Sequence, residues 1–189
     1  AQPVVIGGGR RHQPVLLPDG TRRFATLRDY QGRGVITTAT YAARAFGVNS
    51  AMGLMKAAAL CPQAVLLPVD FDEYRRFSRL FKAAVAEVAP VIEDRGVDEI
   101  YIDLTEVPGA QEAVGHDACG GVRAIAQEIR NTVRRATGLT CSIGVTPNKL
   151  LAKIASELDK PDGLTVLTEA DIPSRIWPLP VRRINGIGP

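Results

Sequence analysis

The chain has 189 residues, 46% hydrophobic and 23% charged, with a net charge of +3. This is ordinary globular composition, enough for one core or a domain plus a lobe, and the charge alone is weak evidence for a polyanionic partner. No apolar run approaches the roughly 20 residues of a membrane span, the opening AQPVVIGGG lacks a signal peptide's basic-then-apolar order, and the widely spaced Cys61, Cys119 and Cys141 fit reduced thiols in a cytoplasmic protein, not a disulfide framework or a zinc site.

In chain order, Pro3–Gly7 reads as a short buried strand. Residues Gly8 to Gly34 are polar and basic, with Arg10, Arg11, Arg22, Arg23, Arg28 and Arg33. Pro18-Asp19-Gly20 predicts a turn between two arms, a hairpin. This segment reads equally as a basic flap near nucleotide or template and as a solvated excursion. Val35–Tyr41 is β-branched and predicts a strand. Ser50–Leu60 predicts a helix with Ser50 as N-cap and Pro62 beyond its end, and AVLLPV (64–69) predicts a strand. Met52 and Met55 read as core filler. His12 and His116 lack ligand-spaced partners and read as exposed.

The clearest helix starts near Asp70, where Asp70 and Glu73 have capping-box spacing. Its stripe is Phe77, Leu80, Phe81, Ala84 and Val88, and Pro90 closes it. Two strands follow, Val91–Val97 and Ile100–Thr105, joined by a two-residue turn at Asp98-Glu99. A second amphipathic helix is predicted over Val122–Ala136, with Gly138 as its stop. Leu139–Thr146 alternates as a strand. Pro147 opens a helix with Leu150, Leu151, Ile154 and Leu158 inward. Lys160-Pro161-Asp162-Gly163 is a turn before a last strand. From Phe71 the order predicts an α+β fold, helices on one face of a mainly antiparallel sheet.

At a tight turn Asp98 and Glu99 can project to one point, whereas strand neighbours would point apart. Close carboxylates repel unless one holds a proton. A Mg²⁺ ion removes that conflict, since it takes one or two carboxylates plus substrate phosphates. Two such ions can clamp both oxygens of a phosphoryl transfer. Taken alone, the pair reads first as a solvated surface turn, Tyr41 as a strand-end tyrosine, and Arg44 and Lys160 as surface charges; only their joint presence in order favours the functional readings.

Four ordered blocks carry more. TTATYAARAFGVNSAM (37–52), GVDEIYIDLT (96–105), CSIGVTPNKLLAKIASELDKPDG (141–163) and LPVRRINGIGP (179–189) together resemble the Y-family, or translesion, DNA polymerases, their bacterial branch most of all. The resemblance implies a ferredoxin-like polymerase palm, an antiparallel sheet with helices on one face, plus a small fingers lobe. It implies fingers over 1–70, palm over 71–168 and the start of a thumb over 169–189. It makes Asp98 a metal ligand and Glu99 the catalytic glutamate facing the same metals, two Mg²⁺ ions in a complete enzyme. Thr38, Tyr41, Arg44 and Lys160 match residues that hold the incoming triphosphate. Arginine forks onto phosphate oxygens and lysine supplies a point charge. The implied partners are primer–template DNA, deoxynucleoside triphosphates and a sliding clamp, the clamp through a C-terminal region that this sequence does not include.

The sequence also departs from the family. Nothing before Pro3 matches the family's first palm strand, which carries another metal-binding aspartate and leads to the steric gate against ribonucleotides. Most of the thumb and the little-finger domain have no counterpart. Gly96 stands where serine is usual, and the Gly8–Gly34 stretch is longer than the family's loop. The expectation is therefore a fragment: the parent would extend primers across damage, and this piece alone would not. Without its central strand the sheet would self-associate. A nucleotidyl cyclase would show neither Tyr41-Ala-Ala-Arg44 nor the Lys160 turn. A non-catalytic accessory protein binding DNA or partner proteins would be expected to lose the acidic pair, and the missing aspartate keeps that alternative open.

Overall fold

The computed structural model describes residues 2–184 and 186–187, which form two compact units, 1–72 and 73–189. The last residues of the LPVRRINGIGP block fall partly outside the described residues.

The first unit is built on a four-stranded mixed sheet, in the order β4-β6-β1-β5. Strand β1 (Val4–Gly7) pairs antiparallel with β5 (Ile36–Ala39) and parallel with β6 (Val65–Leu67). Val5, Ile36, Ala39 and Leu66 turn inward with Val48, Leu54, Ala57 and Cys61, all buried. The basic segment is half arm and half core. Strands β2 (Val15–Leu16) and β3 (Arg22–Arg23) form an exposed hairpin, and Pro18-Asp19-Gly20 turns it as predicted. The Asp19 carboxylate holds the turn, accepting from the Thr21 backbone N–H at 2.9 Å and its hydroxyl at 2.7 Å. Strand β4 (Ala25–Thr26) then joins the sheet edge beside β6. Leu27 is fully buried, and the Tyr30 hydroxyl accepts from the Gly34 N–H at 2.8 Å. This second half is neither flap nor solvated excursion.

Helix α1 (Tyr41–Arg44) follows β5, and α2 (Leu54–Leu60) starts four residues later than the sequence predicts. Residues 51–54 are instead zipped to 34–36: the Ile36 N–H donates to Met52 O, the Ala51 N–H to Ile36 O, and the Leu54 N–H to Gly34 O. Met52 packs on the core as expected, whereas Met55 is exposed.

In the second unit, α3 (Phe71–Val88) and α4 (Gly120–Thr137) carry the long apolar stripes. The Asp70 carboxylate accepts from the Asp72 N–H at 3.1 Å, an N-cap contact. The buried face of α3 centres on Ala84 and Val85, with Phe81 and Val88 beside it, while Leu80 faces outward. Val85 and Ala89 meet Ile129 and Val133 of α4, and Ile92, Ile100, Ile102 and Ile143 cover them. Those covering residues come from two separate two-stranded sheets. Strands β7 (Ile92–Asp94) and β8 (Ile100–Ile102) form an antiparallel hairpin. Strands β9 (Ile143–Val145) and β10 (Leu164–Val166) pair in parallel. The α+β class stands, with mixed rather than purely antiparallel pairing.

Helix α5 (Lys149–Leu158) begins two residues beyond Pro147, because the Asn148 side chain caps it by accepting from the Leu151 N–H at 3.0 Å. Its buried residues are Ile154 and Ala155, while Leu150 is exposed. The helix lies directly on β9. A Cβ at Gly144 would stand 2.3 Å from Ala152 O and 2.5 Å from the Ser156 nitrogen, so only glycine fits there. A short α6 (Ile172–Arg175) completes the helices. The three cysteines are free thiols, and among the described residues no helix is long and apolar enough to cross a membrane. His116 is exposed as expected; His12 is half-buried against Tyr30, ring centroids 5.4 Å apart.

Candidate active site

The acidic pair sits in the connection between β7 and β8. The register pairs Ile92 with Ile102, Glu93 with Tyr101 and Asp94 with Ile100, which leaves a five-residue loop, 95–99, in place of the predicted two-residue turn. Asp-Glu is disfavoured at the positive φ values of a two-residue hairpin turn, and the connection is instead a wider loop in which Gly96 takes φ 156°. The Arg95 N–H closes the loop on Glu99 O at 3.1 Å. Lys82 braces it from α3, donating to the Asp94 carboxylate at 2.7 Å and to Gly96 O at 2.8 Å.

Both acids are exposed on this loop. The Asp98 carboxylate is exposed and has no hydrogen bond or ion pair among the described residues. Glu99 is ion-paired with Lys153 of α5. Lys153 also lies 3.7 Å from Glu157, whose carboxylate takes Lys160 at 2.6 Å. The series Glu99, Lys153, Glu157, Lys160 thus links the acidic loop to the Lys160 turn. Burial works against the Lys153 charge, but Glu99 and Glu157 outweigh it and raise its pKa. Burial pushes Glu157 up, and Lys160, Lys153 and Arg183 more than offset it, leaving its pKa lowered.

The Lys160 turn is tied down at Asp162, a non-glycine residue at φ 53°. Its carboxylate takes Arg130 at 2.8 Å and Arg134 at 2.5 Å, both from α4. The Arg130 hydrogen bond, then both guanidinium charges, hold the Asp162 carboxyl below its ordinary value. Asp103 lies outside this group and accepts from the Thr105 N–H at 2.9 Å.

In the first unit, the end of β5 and the start of α1 gather Thr38, Tyr41 and Arg44. Thr38 is half-buried and pairs with Ile6. Tyr41 opens α1 and is exposed. The Arg44 Nε donates to Ala39 O at 3.0 Å, and its guanidinium lies 5.4 Å from the Tyr41 ring centroid. One nitrogen is used to aim the group, and the terminal nitrogens remain available for a forked contact.

Among the described residues no group of three or more His, Cys, Asp or Glu is placed to hold a metal. Asp98 and Glu99 nonetheless have the chemistry for a hard cation, as two exposed carboxylates, the first without a protein partner among the described residues and the second paired with Lys153. The sequence reading missed Lys153, Glu157, Arg130 and Arg134. Only Lys153 and Glu157 carried a signal, their i,i+4 spacing.

The comparisons agree with one another. Residues 1–157 match the model of the impB/mucB/samB family. DNA polymerase IV of Alkalilimnicola ehrlichii is 44% identical over 160 residues, which is 85% of this chain and 43% of that protein. DNA polymerase IV of Halorhodospira halophila is 40% identical over 188 residues, 100% of this chain and 45% of that protein. The insertion ternary complex of Dbh DNA polymerase superposes with a TM-score of 0.77 at 26% identity, covering 100% of this chain and 48% of that one. DinB from Sulfolobus solfataricus gives 0.74 at 28% identity, covering 100% and 47%. The chain therefore spans a little under half the length of these relatives.

Proposed function

Because this chain belongs to the impB/mucB/samB family, the Y-family of DNA polymerases, we propose that the whole protein carries out template-directed DNA synthesis across damaged DNA. The observation that carries this is the exposed Asp98-Glu99 pair on a braced hairpin loop, linked through Lys153 and Glu157 to Lys160. The substrates are deoxynucleoside triphosphates and primer–template DNA. The name of the Dbh insertion ternary complex supports that choice, since it joins a polymerase of the same fold to its substrates.

In this reading 1–70 serve as fingers, 71–168 as palm and 169–189 as the start of the thumb. Asp98 and Glu99 hold divalent cations, two Mg²⁺, which when bound supply Lewis-acid stabilisation of the transferring phosphoryl group. Thr38 and Tyr41 donate hydroxyl hydrogen bonds to the triphosphate. Arg44, aimed by Ala39 O, forks onto its oxygens, and Lys160 adds a point charge. The same reading includes a cytoplasmic location, a role in DNA repair and a sliding clamp as further partner, with no residue here assigned to the clamp.

The test is primer extension by the whole protein past an abasic site. Asp98→Ala is expected to lower the extension rate by a factor on the order of 10³, the scale of losing one transition-state charge contact, while DNA binding persists. Full extension by the variant, or none by the unaltered protein, would return the assignment to a non-catalytic, DNA-binding accessory role.

A further inference from the structure

The six arginines of residues 8–34 are not used by the site described above. That segment holds six arginines against two aspartates, a net +4, while the whole chain carries +3. The remainder is thus −1, and all the net positive charge lies in one segment. Every one of the six is exposed. None has a carboxylate partner among the described residues. Both acids of the segment are occupied locally: Asp19 by Thr21, and Asp29 by the Thr26 hydroxyl at 3.0 Å. In the second unit Arg76, Arg123, Arg130, Arg134 and Arg135 sit on carboxylates within 2.5–2.8 Å, whereas Arg79, Arg175, Arg182 and Arg183 have no such partner among the described residues and are scattered along the chain, not gathered in one segment.

We propose that the β2–β3 arm binds the phosphate backbone of single-stranded DNA. The register places Val15 opposite Arg23 and Leu16 opposite Arg22. Neighbouring strand residues face opposite ways, so each face of the ribbon carries one guanidinium beside one exposed apolar side chain. A flat or rigid partner, such as a bilayer or a duplex, meets one face at a time. A single strand can wrap both. Phe24, 44% exposed and next to Arg23, offers a ring on which an unstacked base can lie. DNA is chosen as the polyanion because of the polymerase reading; the charge argument itself does not depend on it.

The test is fluorescence anisotropy of a labelled single-stranded 20-mer with this chain over a salt series. Arg22→Gln/Arg23→Gln is expected to weaken binding and flatten the log–log salt slope by about 1.4, at about 0.7 per single-strand phosphate contact. Phe24→Ala is expected to weaken binding about 5-fold or more without changing the slope. Lys56→Gln/Arg79→Gln removes the same charge elsewhere and is expected to leave the slope unchanged. Arg10→Gln/Arg11→Gln, outside the hairpin, guards against misfolding of the first variant and is expected to act in the same direction. Equal slopes for the arm and control variants would overturn the proposal. So would an arm effect larger on blunt duplex than on single strand, or one seen only with an acidic peptide. The readout is binding without synthesis, so a protein that fails to extend primers leaves this result intact.

Discussion

Glu99 is ion-paired with Lys153, and a cation entering the proposed site would have to displace that ammonium. A free ammonium beside a carboxylate competes with any metal for the same oxygens. Lys153→Met is therefore expected to tighten Mn²⁺ binding by this chain about 2–5-fold, the range of a partly exposed ion pair. Mn²⁺ titration followed by electron paramagnetic resonance measures it, and unchanged or weaker binding would count against the arrangement. Asp162 governs acid stability at the same scale. Its folded pKa is held below the unfolded value by Arg130 and Arg134. The clamp therefore stabilises fully above the unfolded pKa and is lost as pH falls through the folded one. Asp162→Asn should flatten the acid limb of a stability–pH profile and lower stability at neutral pH; an unaltered acid limb would refute the clamp. Residue-scale legibility follows separation in the chain. The adjacent acids and the Lys160 turn could be read directly. The Glu99–Lys153 pair spans 54 residues and Arg130–Asp162 spans 32, and no local period reports such contacts.

At the scale of elements, the basic segment divides between Arg23 and Ala25. Leu27 is fully buried, so Leu27→Ala should cost about 2–5 kcal/mol. Leu16 is 68% exposed, and Leu16→Ser should change stability by less than about 0.5 kcal/mol. Urea unfolding of the two variants checks the contrast, and equal losses would mean that the arm is packed as firmly as its root. The hairpin was legible from Pro18-Asp19-Gly20 because turn chemistry is local. The docking of β4 was not, because two residues, Ala25 and Thr26, are too few to show a period. Helix starts shifted for a similar reason. The Asn148 cap and the zipper between 51–54 and 34–36 decide where α5 and α2 begin, and the second of these is a tertiary contact that propensity does not register.

At the scale of the whole molecule, two separate two-stranded sheets cover one pair of helices in the second unit. Each pair leaves unpaired strand edges among the described residues, and open edges favour pairing with another chain. The isolated chain is accordingly expected to self-associate in the range of tens of micromolar and above. Sedimentation velocity across a concentration series checks this, and a monomer at every concentration would exclude it. The α+β class was legible from the order of elements. The split of the second unit's strands into an antiparallel hairpin and a parallel pair was not, since strand partners are fixed by tertiary packing.

The root of the basic segment has one more consequence. Val69 N–H holds Gly9 O at 3.0 Å, Leu27 N–H holds Ala64 O at 2.9 Å, and Tyr30 fastens Gly34. The hairpin is thus bracketed by two backbone bonds and one tyrosine hydroxyl contact, none of which involves its own residues. It works as a socket: residues 14–24 can be lengthened, shortened or exchanged as a unit, while the sheet edge beneath keeps β4 in place. Selection can therefore change what this surface touches without reopening the core that supports Tyr41 and Arg44.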